Sequence, residues 1–199
     1  IIGNELLSGK IAEQNLLVLS RLLRSIGIQL RRVVMILDEI DVIRDEVAAL
    51  SRDHDVLFTS GGVGPTHDDL TIEGVARAFG AGVVMSAEIE RLLRGYYGAA
   101  ITEGHLLMAR VPEGARLVSS EKVPWPTVVM RNVWVLPGVP EIFRAKVLVL
   151  AERLPRGQAF VSLSVLTHRD ESEIKALLDC GIPRKVDPEA LHHYMTFGY

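Results

Sequence analysis

Residues 56–59 form a short apolar, β-branched run, and Ser60-Gly61-Gly62-Val63-Gly64-Pro65-Thr66 follows directly. A helical pattern then places Ile72, Val75, Ala76 and Phe79 on one face. Strand, glycine-rich turn and helix in that order constrain the chain to an α/β arrangement. The turn lies outside the carboxyl end of a strand, where open α/β sheets bind ligands. It also aims backbone N–H groups, with a helix dipole behind them, at an anion.

The rest of the chain fits that arrangement. Residues 12–26 carry Leu16, Leu19, Leu22, Leu23 and Ile26 at helical spacing, and Gly27 supplies the stop. Residues 28–36 are expected to form a strand interrupted by Arg31-Arg32. A helix with Ile43, Val47 and Leu50 follows, with Glu39 and Asp41 at its positive end. A further helix carries Ile89, Leu92, Leu93 and Tyr96. Residues 128–130 and 133–136 are expected to pair around Arg131-Asn132, and Pro137-Gly138-Val139-Pro140 precedes a helix over 141–154.

The expected fold class is α/β: a mainly parallel sheet with helices on both faces, a small β subdomain and a partial C-terminal α+β appendage. The main domain covers 1–154, with Pro155-Arg156-Gly157 as linker. Residues 158–199 form a partial small domain or tail, strand-like over 160–166 and helical over 171–178. Ile1 and Ile2 are expected to end a buried strand that begins outside this sequence, so the start carries no targeting information.

With 199 residues, 48% of them hydrophobic, the chain can bury a full core. Its net charge of −3, without any basic stripe, argues against nucleic acid as a partner. No apolar run approaches the roughly 18 residues of a bilayer span, so no membrane partner is expected. The single cysteine, Cys180, fits a reducing, cytoplasmic setting.

Gly61, Gly62 and Gly64 permit positive φ and close approach of a phosphate, and Thr66 and Thr71 add hydroxyl donors. Asp68 and Asp69 would repel a bare phosphate. A divalent cation, held by one or two carboxylates plus phosphate oxygens, removes the conflict. The bland alternative is that Asp69 caps the following helix, but capping does not require three glycines in four positions. His67 is weighed as a proton shuttle and read as a turn residue.

Three other matches fail. Gly3 to Lys10 has the wrong spacing for a P-loop, and Ile11 follows the lysine. His67 stands where a dinucleotide fingerprint needs glycine. His168-Arg169-Asp170 lacks the companions of a kinase triplet. The histidines have no zinc-ligand spacing.

Gly3-Asn4-Glu5-Leu6-Leu7-Ser8-Gly9-Lys10-Ile11, Asn15, the segment from Ser60 to Thr71 and Leu136-Pro137-Gly138-Val139-Pro140-Glu141 together resemble the molybdopterin-binding-like domain. That domain belongs to CinA-type competence/damage-inducible proteins and eukaryotic FAD synthases. The resemblance covers about 1–154 and implies a phosphate or pyrophosphate on the glycine loop. It implies metal-dependent hydrolysis (Mg, Mn or Co) of a nucleotide pyrophosphate such as ADP-ribose or FAD. The alternatives are adenylyl transfer to molybdopterin and a non-catalytic nucleotide- or pterin-binding module.

By that resemblance Asp69 and Asp38 are the catalytic and metal-holding carboxylates. Gly61, Gly62, Gly64, Thr66, Asp68, Thr71, Glu5, Asn15, Gly138, Pro140 and Glu141 are the ligand-binding residues. Glu141 also has a simpler role as a first-turn acid complementing the helix dipole. Relatives assemble as dimers or trimers, which implies a homo-oligomer. Asn4 departs from the Asp or Thr common in relatives. The amidase domain of full CinA proteins has no counterpart in this sequence, so no amidase activity is implied.

Overall fold

A computed structural model describes residues 1–158 of the chain. Strand β1 (Leu57–Ser60) runs parallel to β6 (Val133–Leu136), with Leu57 opposite Val133 and Ser60 opposite Leu136. Strands β5 (Thr127–Met130) and β4 (Arg116–Val118) extend the sheet antiparallel, giving the order β1-β6-β5-β4. The fold is α/β, as the pattern requires, and its sheet is mixed rather than mainly parallel. The reason is the two-residue Arg131-Asn132 turn, which folds β6 straight back on β5; Arg131 takes a positive φ of 52° there. Among the described residues, parallel pairing is confined to β1–β6 and a bridge between Ile2 and Ile36.

Helices cover both faces, and β6 shows why. Its side chains alternate, sending Trp134 and Leu136 to one face and Val133 and Val135 to the other. On the first face lie α2 (Asn15–Ser25), through Leu19 and Leu23, and α7 (Pro140–Arg153), through Phe143, Val149 and Leu150. On the second lie α3 (Ile40–Asp53), through Ile43 and Val47, and α4 (Thr71–Ala78), through Val75. Burying each such side chain contributes about 1.5–3 kcal/mol. Glu13 starts α2 by accepting hydrogen bonds from the N–H groups of Asn15 and Leu16, and Gly27 ends it at φ 78°.

A second, two-stranded sheet is separate in its hydrogen bonding, and its cluster packs against Leu117 and Val128 of the first. Strands β2 (Val83–Met85) and β3 (Arg110–Pro112) form an antiparallel ribbon. Helix α5 (Ala87–Tyr97), capped by the Ser86 hydroxyl, packs Ile89 and Leu93 against Ala109 and Val111. Two short helices, α1 (Asn4–Leu7) and α6 (Glu103–Leu107), and a 3-10 turn (Gly98–Ala100) complete the described elements.

The expected strand over 28–36 does not form. Among the described residues it has no strand partner except at its end. There Val34 accepts from the Ile1 amino group, and Ile36 bridges Ile2. Without a neighbouring strand along 28–33, alternation alone cannot make a ladder. After α7 the chain returns to the end of α2, where the Gly157 N–H donates to the Ile26 carbonyl. The strand and helix expected over 160–178 lie outside the described residues.

Candidate functional site

The loop between β1 and α4 is fixed by a few hydrogen bonds. The Gly61 N–H continues the β1–β6 ladder by donating to Leu136, so it is not directed at a ligand. Gly61 has φ 106° and lies so close to the Ile2 carbonyl that a Cβ would not fit, and a Cβ on Gly138 would in turn crowd the Gly61 Cα. Thr71, expected to offer its hydroxyl to a ligand, is fully buried. Its Oγ1 donates to the Gly61 carbonyl at 2.8 Å and its N–H to the Gly62 carbonyl at 3.0 Å. Thr71 therefore shapes the loop from within. The N–H groups of Gly62, Val63 and Gly64 have no acceptor among the described residues.

Asn15 is likewise turned inward. It is buried, and its amide nitrogen donates to Ser60 Oγ at 3.1 Å and to the Gly138 carbonyl at 2.8 Å. This ties the start of α2 to the end of β1 and to the 137–140 turn. Its Oδ1 is buried without a partner.

Acidic side chains gather at the loop. Asn4 and Asp38 exchange hydrogen bonds, which places Asp38 Oδ1 beside Gly62, buried and unpartnered. Burial pushes the Asp38 carboxyl above its ordinary value. The Asn4 N–H offsets this in part, and the charges of Glu5, Asp69 and Asp68 add to it. Glu5, Asp68 and Asp69, far apart in sequence, thus all bear electrostatically on Asp38.

Asp69 does not cap α4. Residue Leu70 is the N-cap, without a side-chain bond, and Asp69 instead accepts from the N–H and the hydroxyl of Thr66. Its carboxylate lies against Gly64. Asp68, at the surface, is held below the usual carboxylate range, first through hydrogen bonding with Thr66.

Pro140 opens α7 as its first residue, and Glu141 follows in the exposed first turn. No contact connects Glu141 to Asp38 or Asp69 among the described residues. Its position is that of an acid complementing the dipole.

Sequence reasoning missed Lys146. It lies in α7 on the stripe of Phe143, Val149 and Leu150, only 4% exposed, and its ammonium donates to the carbonyls of Trp125 and Pro126. The sequence signal was faint: Lys146 stands three residues from both Phe143 and Val149, but apolar residues such as Ile142 and Leu148 also occupy the exposed side of the helix.

The geometry defines an α/β domain with an amide-lined loop facing a carboxylate group. Residues 1–156 match the family described as "Probable molybdopterin binding domain", and the chain belongs to that family. A protein of Archaeoglobus fulgidus is 33% identical over 157 residues, covering 79% of this chain and 68% of its own length. A "CinA-like protein" of Myxococcus xanthus is 36% identical over 91% of this chain, which spans 44% of that relative. The crystal structure of a protein titled CinA, with unknown function, from Thermoplasma acidophilum superposes with a TM-score of 0.68. That pair is 29% identical over 76% of this chain and 92% of the other. No helix among the described residues is long and apolar enough to cross a membrane.

Proposed function

We propose that this domain hydrolyses a nucleotide pyrophosphate of the ADP-ribose or FAD kind, with a divalent cation (Mg, Mn or Co) as cofactor. The observation that carries the reading is the placement of Asp38 and Asp69 on two neighbouring glycines, Gly62 and Gly64, whose N–H groups are free to donate. Free amides and carboxylates at one loop fit a pyrophosphate bridged to the protein by a cation.

The donor set has a definite limit. No group of three or more His, Cys, Asp or Glu side chains forms a ready-made metal cluster among the described residues. Asp38 and Asp69 would therefore supply one or two ligands, with phosphate oxygens and water completing the shell. Asp38 Oδ1, buried without a donor, is suited to that use. When bound, the cation neutralises phosphate charge and lowers the pKa of an attacking water.

The chain's own residues do the rest. Gly62, Val63 and Gly64 hold phosphate oxygens, with Thr66 at the loop's far end. Asp38 or Asp69 orients the water and takes up its proton. Thr71, Asn15 and Gly138 keep the loop in shape.

The test is release of AMP from ADP-ribose and FAD with Mg²⁺, Mn²⁺ or Co²⁺. Turnover that is the same in wild type and Asp69→Ala would refute the assignment. Family membership favours a second reading, molybdopterin binding with adenylyl transfer. Incubation with ATP and molybdopterin, looking for an adenylylated pterin, separates the two. Tight binding without turnover under any metal identifies a binding module. The net charge of −3, without a basic stripe, argues against nucleic acid. Assembly as a dimer or trimer is measurable by light scattering.

A further inference from the structure

Beside the glycine loop opens a cavity of about 380 Å³, within the size range of small-molecule sites. Gly64, Thr66 and Asp69 stand on its lining, so it is continuous with the loop. Tyr97, Trp125, Met108 and Ile142 supply apolar and aromatic surface. Tyr97 is held by stacking on His105, with centroids 3.8 Å apart and planes 9° from parallel. A fixed aromatic wall suits a flat ring, which gains contact area without ordering the protein.

The cavity also contains a charge that its surroundings leave unanswered. Two cations line it. Arg110 is paired with Glu73 at 3.6 Å. Lys146 is 4% exposed and meets no carboxylate among the described residues; its Nζ donates to Trp125 O at 2.5 Å and Pro126 O at 2.8 Å. An ammonium has three donors, and two are taken. Burial without an opposite charge lowers its pKa to about 8. A buried cation short of one partner, on the lining of a cavity open to the loop, is placed to receive an acceptor from a ligand.

Resting on the reading that phosphates lie on the loop, we propose that this cavity receives the planar heteroaromatic end of the same ligand. An in-plane acceptor of that ring, a carbonyl oxygen or ring nitrogen, takes the third N–H of Lys146. Lys146 is thus a specificity-determining residue that distinguishes a nucleotide or pterin from a sugar phosphate. Trp125 and Pro126, whose carbonyls it also holds, form part of the wall.

Calorimetry on the full chain with Mg²⁺ compares inorganic pyrophosphate, ribose 5-phosphate, ADP and FAD. The ring-bearing ligands should bind roughly ten-fold or more tighter than pyrophosphate, worth about 1.4 kcal/mol. Lys146→Met should lose that increment and keep pyrophosphate affinity. Equal affinities for pyrophosphate and ADP or FAD, or an increment unchanged in a folded Lys146→Met, overturn the ring site and leave the loop reading standing.

Phosphate-free probes, adenosine, riboflavin and a neutral pterin, test the cavity by itself. The chain has two tryptophans, and Trp134 packs in the core on the α2–α7 face. Ring binding should quench Trp125 emission, and Trp125→Phe should remove the signal. If pyrophosphate fails to bind but these probes quench, the loop reading falls and the ring site stands. If none of them quenches Trp125 and ADP or FAD gains nothing over pyrophosphate, the ring site is refuted. Should Lys146→Met not fold, these wild-type and Trp125→Phe measurements decide alone.

Discussion

The Asn4 N–H donates to Asp38 Oδ2 at 3.3 Å, and the Asp38 N–H returns a bond to Asn4 Oδ1 at 3.2 Å. This exchange fixes one carboxylate oxygen and leaves Oδ1 beside Gly62 without a donor. Burial and three like charges disfavour ionisation of Asp38, so its folded-state pKa lies above the unfolded one. Stability should therefore fall as pH rises from the ordinary carboxylate range through that raised pKa. Asp38→Asn removes this cost. Its thermal midpoint near pH 7 should equal or exceed that of wild type, while pyrophosphate hydrolysis falls about 10²-fold or more. Scanning calorimetry and the AMP-release assay check the two halves.

Gly62→Ala tests how closely the loop is built. Gly62 has φ 63°, and an added Cβ would press on Thr71 Oγ1 and lie 2.9 Å from Asp38 Oδ1. Backbone strain costs about 1–3 kcal/mol, before any displacement of Thr71. Urea denaturation should show that loss, and pyrophosphate affinity should drop with it. A variant as stable and as tightly binding as wild type would mean that the loop does not need this glycine.

What the sequence disclosed, and what it hid, follows from the range of the forces involved. The 60–71 loop was legible because glycine and proline act locally, and the 128–136 hairpin because Arg131-Asn132 sits between two apolar runs. The strand expected over 28–36 failed because a ladder needs a neighbour, which alternation cannot reveal. Thr71 was assigned to the ligand as a hydroxyl donor in the loop, and Asn15 through the family resemblance. Their inward turn depends on Gly61 and Gly138, which lie 10 and 123 positions away. Lys146 was passed over because its partners are main-chain carbonyls, which no side-chain motif records.

Thr71→Val keeps shape and volume but removes the hydroxyl. The Gly61 carbonyl then lacks its 2.8 Å donor in a buried setting, at a cost of about 1–3 kcal/mol. The effect on pyrophosphate binding should be indirect, through a loosened loop. Thr71→Ser should restore most of both, since it keeps the hydroxyl. If Thr71→Val lost affinity at full stability, the hydroxyl would face the ligand after all, and denaturation beside calorimetry makes that distinction.

Lys146 gives the fold a pH dependence opposite in sign to that of a paired lysine. Its pKa is about 8 in the fold, against 10.5 ordinarily, because burial disfavours the charged form. Between those values the unfolded chain binds a proton that the folded chain has released, so stability rises with pH across that window. Below pH 8 the full cost is present, roughly 3 kcal/mol from a shift of this size. Lys146→Met removes the titration. The difference in unfolding free energy between wild type and Lys146→Met should be constant from pH 6 to 7.5 and shift in favour of wild type up to pH 10.5. Taking that difference cancels tyrosine titration, which affects both proteins alike. A flat difference across the whole range would mean that the amine keeps its proton in the fold, held by the Trp125 and Pro126 carbonyls more strongly than burial opposes it.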